Sequence, residues 1–164
     1  MFNRMTLLIP LLILQTPADP SKAMDFWIGD WSCDGLALSA DGKTWTTTKG
    51  TNHIDRILGG KVIHEKFKSG PMQGESWTVF APKAGVWRQT WVDSQGGYIP
   101  LTGGSEGDGV TLTTLRNPKN PDAVNHMVFT DIQPESFTWN WESSKDGGKT
   151  WQLQWVLHYK RKHR

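Results

Sequence analysis

The stretch Asp25-Phe26-Trp27-Ile28-Gly29-Asp30-Trp31 predicts the start of a β-sheet fold in a chain that carries 10 Trp in 164 residues. A glycine between two tryptophans at the start of a first strand lets the backbone pass close beneath an aromatic ring. The ring then plugs one end of a small sheet or barrel. After Asp30, aromatic residues recur at every second position, which is the period of a β-strand.

Ten candidate strands follow, each bounded by clusters of Gly, Pro, Asn or Asp. They are predicted at Trp31–Leu38, Trp45–Asp55, Lys61–Ser69, Gly74–Phe80, Val86–Asp93, Tyr98–Gly103, Gly109–Leu115, His126–Asp131, Ser136–Ser143 and Trp151–Arg161. Their short connections indicate antiparallel neighbours, because a parallel crossover needs a dozen residues or more. Closing such a meander removes both exposed edges. We therefore predict an all-β, antiparallel up-and-down barrel of about ten strands, with a two-sheet sandwich as the alternative.

The N-terminal residues have the pattern of a secretory signal peptide. Arg4 supplies a positive charge, Thr6 to Leu14 form a short apolar run, and small residues end at Ala18. We predict cleavage after Ala18, a single barrel domain over residues 19–164, and a periplasmic or secreted location. The apolar run is too short for a membrane span of about 20 residues, so no stable membrane insertion is expected after cleavage. An uncleaved anchor is the alternative. Between Asp19 and Ile28, one or two helical turns are expected to dock as a lid.

Charge and cysteine content exclude several classes of protein. The formal net charge is only +2, and its excess lies in the last five residues. A nucleic-acid partner is therefore not expected, and the basic end is interpreted as a solvated tail. Cys33 is the single cysteine, so an intramolecular disulfide is excluded, and its position in the strand pattern favours a small buried hydrophobe.

Two hairpins share Ser, Asp, Gly, Thr and Trp in the same order, at residues 39–45 and 144–151. The second matches the Asp-box pattern S-x-D-x-G-x-T-W of propeller sialidases, where the motif is structural. The Asp carboxylate is expected to accept backbone N–H groups, Gly to take a positive φ, and Trp to pack under the loop. The pair indicates tight hairpins and carries no information about sugars.

Alternation places most aromatic residues on one face of each strand. The predicted inward stripes are Ile63, Glu65, Phe67; Trp77, Val79; Trp87, Gln89, Trp91, Asp93; Phe137, Trp139, Trp141; and Trp151, Leu153, Trp155, Leu157, Tyr159. Three polar members, Glu65, Gln89 and Asp93, need partners if they are buried. They could form the polar floor of a ligand pocket, a purely structural network, or strand ends that reach solvent. For Asp93, capping of the Ser94–Gly97 turn is a further alternative.

No strong catalytic or metal-binding motif is present in the sequence. The five His residues have no Cys or second His at metal-ligand spacing, and His64 and His158 are predicted to point outward. A general acid–base pair of Glu65 and Asp93 is conceivable, because a carboxylate among indole rings has a raised pKa. No cofactor and no catalytic residue is therefore assigned.

Five segments together resemble an uncharacterised family of exported bacterial proteins with a domain of unknown function. They are FWIGDW (26–31), LGGKVIHE (58–65), WRQTWVDSQGG (87–97), ESSKDGGKTW (142–151) and the closing Tyr159-Lys160-Arg161. The resemblance implies a lipocalin-like, calycin-type barrel, since the G-x-W opening is similar to those of lipocalins and nitrobindin-like haem barrels. It implies no activity. His158 lies where nitrobindin-like proteins hold haem iron, but it is out of phase with the inward stripe, so haem is not expected.

The leading hypothesis is an exported barrel that binds a small, partly apolar molecule. Glu65, Gln89, Trp91 and Asp93 are predicted to orient the ligand, and Trp77 and Trp139 to form the walls. One alternative is an enzyme that uses Glu65 and Asp93 as acid and base. Another is an envelope interaction protein with a filled barrel and an exposed apolar patch. The ligand and the oligomeric state do not follow from the sequence.

Overall fold

The computed structural model describes residues 19–163, which form a closed barrel of ten antiparallel strands. Each strand pairs with its neighbours along the chain, and β1 closes the ring against β10. The strands are β1 Gly29–Leu38, β2 Trp45–Ile57, β3 Val62–Ser69, β4 Met72–Ala81, β5 Val86–Asp93, β6 Tyr98–Glu106, β7 Gly109–Thr114, β8 Val124–Gln133, β9 Ser136–Ser144 and β10 Gln152–Arg161. The predicted barrel is confirmed, and the sandwich alternative is wrong. The predicted signal peptide and its cleavage site lie outside the described residues.

The N-terminal segment closes one end of the barrel, which we call the closed end. Two single-turn 3₁₀ helices, Pro20–Lys22 and Asp25–Trp27, precede β1. Met24 and Trp27 are buried, and the Trp87 indole N–H at the start of β5 donates to the Pro20 carbonyl at 3.0 Å. This arrangement satisfies the expectation of a docked helical lid. No helix among residues 19–163 is long and apolar enough to cross a membrane.

Arg161 explains why the opening motif contains a glycine. Its guanidinium lies 4.0 Å from the centroid of the Trp31 ring and donates to the Ile28 carbonyl at 2.9 Å. Gly29 has φ 142°, and a Cβ built there would overlap that guanidinium. The Trp31 indole N–H donates to the Trp27 carbonyl at 2.9 Å. The close approach predicted at Gly29 is therefore present, but it is made to an arginine more than to an aromatic ring.

The opposite end, which we call the open end, carries the hairpin between β9 and β10. There the Asp146 carboxylate accepts hydrogen bonds from the backbone N–H groups of Lys149 and Thr150 and from the Thr150 hydroxyl. Gly147 has φ 73° and Gly148 has φ 91°. The expected Asp-box geometry is confirmed in this hairpin, so the motif here rigidifies a turn.

A β-bulge changes the phase of β10 between Leu153 and Trp155. Residues paired across antiparallel strands share a face, and Trp155 pairs with the lumen residue Trp141 whereas Leu153 pairs with Glu142. Leu153 therefore lies on the outer face with Glu142. Trp151 stacks on His126 at 3.5 Å between ring centroids, and His126 in turn contacts Glu142. The predicted inward positions of Trp151 and Leu153 are wrong, because the bulge breaks simple alternation.

Candidate ligand pocket

A cavity of about 180 Å³ lies within the barrel. Its lining extends from Trp27 at the closed end to Met72 and Asp93, which lie where β4 begins and β5 ends at the open end. Most of the lining is apolar, and its polar members include Glu65 and Tyr159. The interior is thus only partly filled by side chains, and the cavity is large enough for a small molecule.

Four tryptophans form the main wall of this cavity: Trp91, Trp139, Trp141 and Trp155. Trp139 meets Trp155 edge-to-face at 5.5 Å between ring centroids and stacks with Trp141 at 6.4 Å. Phe67 bridges the wall, with its ring 5.8 Å from Trp155 and 6.2 Å from Trp91. The strand pairs Trp141–Trp155 and Trp139–Leu157 place three of the indoles side by side on β9 and β10. All four residues are only partly buried, and all four border the cavity.

Glu65 is the buried carboxylate of the cavity, with a relative exposure of 6%. Its two oxygens accept hydrogen bonds from the Ser76 hydroxyl at 2.6 Å and from the Asn52 amide at 2.7 Å. Both donors are neutral, and no salt bridge is made to Glu65 among the described residues. Burial raises the pKa of Glu65 to about 6, although the two hydrogen bonds lower it in part.

The network continues on both sides of Glu65. The Asn52 amide also donates to the Tyr159 hydroxyl at 3.3 Å, and burial raises the pKa of that phenol well above its usual value. On the other side, the Gln89 amide donates to Ser76 at 3.1 Å and to Thr78 at 2.9 Å. The amide oxygens of Asn52 and Gln89 are buried and accept no hydrogen bond from any of the residues that the structure describes. The polar floor therefore holds more acceptors than it can satisfy.

Asp93 combines a turn cap with a place on the cavity wall. One carboxylate oxygen accepts the backbone N–H groups of Gln95 and Gly97, each at 2.9 Å. The other oxygen accepts the indole N–H of Trp91 at 2.9 Å. The Trp91 hydrogen bond is the main reason that the pKa of Asp93 is lowered. Asp93 is thus an anion at neutral pH and also fixes the orientation of the Trp91 ring.

The predicted site residues fall into three groups: four that line the cavity, one that lies behind it, and one, Trp77, on the outer face. Glu65, Trp91, Asp93 and Trp139 line the same cavity. Gln89 is buried but does not line the cavity; its amide donates to Ser76, which in turn donates to the lining residue Glu65.

Trp77 does not belong to the wall, contrary to the prediction from alternation. It is 41% exposed and stacks on His64 at 5.1 Å between ring centroids. Its neighbours Ser76 and Thr78 are fully buried, so β4 turns hydroxyl groups inward and its tryptophan outward. The physical reason is that Ser76 pairs directly with Glu65 across β3 and β4, and a buried carboxylate needs donors more than the lumen needs a further ring.

Several lining or network residues were not predicted from the sequence: Asn52, Ser76, Thr78 and the polar role of Tyr159. Asn52 lies on β2, whose pattern of Thr and Lys residues gives no apolar stripe to reveal its inward face. Ser76 and Thr78 alternate on β4 opposite Glu65. Their alternation, together with an inward carboxylate on the preceding strand, is the signal that could have identified them.

Within the described part of the chain, no basic side chain lines the cavity, and none of the five histidines does so. His158 is exposed, with its ring nitrogen near the Thr138 hydroxyl, so it is not placed to hold a haem iron within the barrel. Among residues 19–163, no group of three or more His, Cys, Asp or Glu side chains could hold a metal ion. Cys33 is buried, and burial raises the pKa of its thiol to about 11.

Comparisons with known proteins identify the fold and no family. No family model matches the sequence, and no curated protein does. The crystal structure of Rv2717c from M. tuberculosis aligns with 89% of this chain and 99% of its own, at 12% identity and a TM-score of 0.61. A Nostoc punctiforme protein of unknown function, from the DUF3598 family, aligns with 91% of this chain at 12% identity and a TM-score of 0.57. This chain covers 53% of that protein, about half its length.

A more distant structural match is EF1p2_mFAP2b bound to DFHBI, at 15% identity and a TM-score of 0.39 over 87% of this chain and 99% of that one. The two closer matches show a shared barrel fold. Membership of the exported family suggested by the sequence motifs stays a prediction.

Proposed function

We propose that this protein is an exported barrel that binds a small, partly apolar molecule in its Trp-lined cavity. The observation that carries the proposal is the cavity of about 180 Å³, bordered by partly exposed tryptophans and by one buried carboxylate. Ligand sites in proteins are typically concave, mostly apolar and provided with a few oriented polar groups. Glu65 and Asp93 are such groups here, and Trp91 and Trp139 provide flat apolar surface.

The volume limits the size of the ligand. An engineered apolar cavity of about 150 Å³ is known to hold benzene, whereas sites for drug-sized molecules have about 300–1,000 Å³. The ligand is therefore expected to be about one substituted aromatic ring, or an aliphatic body of similar volume. A porphyrin is far larger than this space.

The rival functions fit the geometry less well. An acid–base enzyme needs a carboxyl group that is free to exchange a proton with substrate. All four oxygens of Glu65 and Asp93 already accept hydrogen bonds from protein groups. An interaction protein with a filled barrel would have no cavity among its indoles. We therefore place ligand binding first.

Binding can be tested with titrations of small probes such as indole and benzyl alcohol, followed by calorimetry and by quenching of Trp fluorescence. We expect Trp139→Ala, which removes a cavity wall, to weaken binding. Trp77→Ala is the matched control, because Trp77 lies on the outer face, and it is expected to keep the wild-type affinity. Equal losses in both variants, or no heat and no quenching with any probe, would contradict the proposal.

Export is a separate part of the proposal and has a separate test. Processing after Ala18 would leave Asp19 as the first residue of the mature protein. We expect the mass of the protein recovered from the periplasm or medium of its host to begin at that residue. Recovery of the full-length chain from the cytosol would contradict it.

A further inference from the structure

We propose that the cavity selects small organic cations, namely amines or methylated ammonium groups attached to a compact apolar body. This inference rests on the proposed binding function and names the class of ligand. It is drawn from three observations: the ring faces that line the cavity, the charges that line it, and the hydrogen bonding of the network behind Glu65.

The first feature is the arrangement of the indole rings. A cation within about 6 Å of a Trp ring centroid is attracted by the electron-rich face, and the attraction is strongest where water is excluded. Trp139 meets Trp155 at 90° between ring planes, so their rings provide both a face and a perpendicular wall. Trp91 is held by Asp93, and Trp141 completes the set. Clusters of aromatic rings of this kind bind methylated ammonium groups in other proteins.

The second feature is the sign of the charge. Two carboxylates, Glu65 and Asp93, line the cavity, and no Lys, Arg or His of residues 19–163 does. Glu65 is 6% exposed, and its hydrogen-bond donors are the neutral Asn52 and Ser76. A buried carboxylate without a cationic partner is costly. A cationic ligand would supply the missing counter-charge, whereas an anionic ligand would add a like charge to the site.

The third feature is the count of donors and acceptors around Glu65. The Asn52 amide group uses its two hydrogens on Glu65 and Tyr159, and the Gln89 amide group uses its two on Ser76 and Thr78. The amide oxygens of Asn52 and Gln89, residues that are each 2% exposed, receive no hydrogen bond from the rest of the described chain. Neither residue lines the cavity, but the network behind Glu65 has no amide hydrogen left to donate to an anionic ligand.

The test compares ligands of one shape that differ in charge: benzylamine, benzyl alcohol and benzoate, titrated into the wild-type protein by calorimetry at pH 7.5. We expect benzylamine to bind about tenfold more tightly than benzyl alcohol, as a desolvated cation–π contact allows, and benzoate to bind most weakly. In Glu65→Gln, the ratio of the affinity for benzylamine to that for benzyl alcohol is expected to fall towards the value for an uncharged pocket. Glu75→Gln is the matched control, since Glu75 lies on the outer face against His64.

The outcomes separate this inference from the proposed function. Equal affinities for benzylamine and benzyl alcohol in the wild-type protein would overturn the cation preference and leave a neutral ligand pocket. Absence of binding by all three probes would overturn both. The comparison among ligands needs no variant, so it decides the question even if Glu65→Gln changes the stability of the barrel. A preference for benzylamine that persists in Glu65→Gln and is lost in Glu75→Gln would place the cation outside the lumen and overturn the inference.

Discussion

Ionisation of Glu65 opposes folding, and its replacement by glutamine has an effect that can be calculated. Burial raises the pKa of Glu65 from 4.5 to about 6. One pKa unit corresponds to about 1.4 kcal/mol. Ionising this carboxyl in the folded chain therefore costs about 2 kcal/mol more than ionising it in the unfolded chain.

The sign of the pH dependence follows from the direction of the shift. The folded pKa lies above the unfolded value. The contribution of Glu65 to the free energy of unfolding of the wild type is therefore complete below pH 4.5 and is lost as the pH rises through about 6. Glu65→Gln cannot ionise and lacks this dependence. The free energy of unfolding of the variant, minus that of the wild type, is expected to rise by about 2 kcal/mol from pH 4 to pH 7.5.

The measurement is urea unfolding followed by Trp fluorescence at a series of pH values. The informative quantity is how the difference in free energy of unfolding between variant and wild type changes with pH. Any hydrogen bond lost in the variant shifts that difference by an amount that is largely the same at every pH. Glu106→Gln is the control, since Glu106 is exposed at the end of β6. A difference that stays flat or falls with pH would refute the conclusion that Glu65 is a buried carboxyl without a cationic partner.

Three further predictions concern packing, barrel closure and the thiol. A Cβ on Gly74 would overlap the Trp91 ring, so Gly74→Ala is expected to lower the free energy of unfolding by about 1–3 kcal/mol and to shift the Trp emission. Arg161→Ala removes the cation over Trp31 and a hydrogen bond to the backbone; thermal unfolding should show a loss of about 2–3 kcal/mol. Cys33, with its pKa raised to about 11, should not react with Ellman's reagent at pH 8 until denaturant unfolds the barrel.

Each of these predictions has a clear contrary result. Unchanged stability in Gly74→Ala would mean that the Trp91 ring is not packed against that strand. Wild-type melting of Arg161→Ala would show that the closed end is held by other contacts. Labelling of native Cys33 at the rate of a free thiol would show that the face of β1 on which Cys33 lies is open to solvent.

Much of the barrel could be predicted because its strands are short, regular and closely connected. On β3 and β5, alternation correctly placed Ile63, Glu65 and Phe67, and then Trp87 and Gln89, towards the interior. These strands have a bulky inward set and no bulge within them. Simple periodicity is sufficient where the pleat is regular and one face is buried.

The site was predicted less well, because its polar contacts depend on pairs between strands. Trp77 was assigned inward by the alternation of aromatic residues, yet Ser76 points inward to donate to Glu65, and Thr78 shares that face and accepts from Gln89. Leu153 was assigned inward because a single strand cannot reveal a bulge that appears only in its pairing with β9. The alternation of large side chains predicts the buried face of a strand when packing dominates. The same pattern is misleading where a buried charge determines which face points inward.

Closure of the ring by β1 and β10 has a consequence for how the chain acquires its structure. Trp31 pairs with Arg161, so the contact that completes the barrel joins residues from the first and last strands. During synthesis, β10 emerges last, so the sheet cannot close until the other nine strands have been made. Until then the sheet has two unpaired edges, which are prone to aggregation. Loop-closure entropy also makes such distant pairings slow to form. The nascent polypeptide is therefore expected to depend on chaperones until its final strand is available.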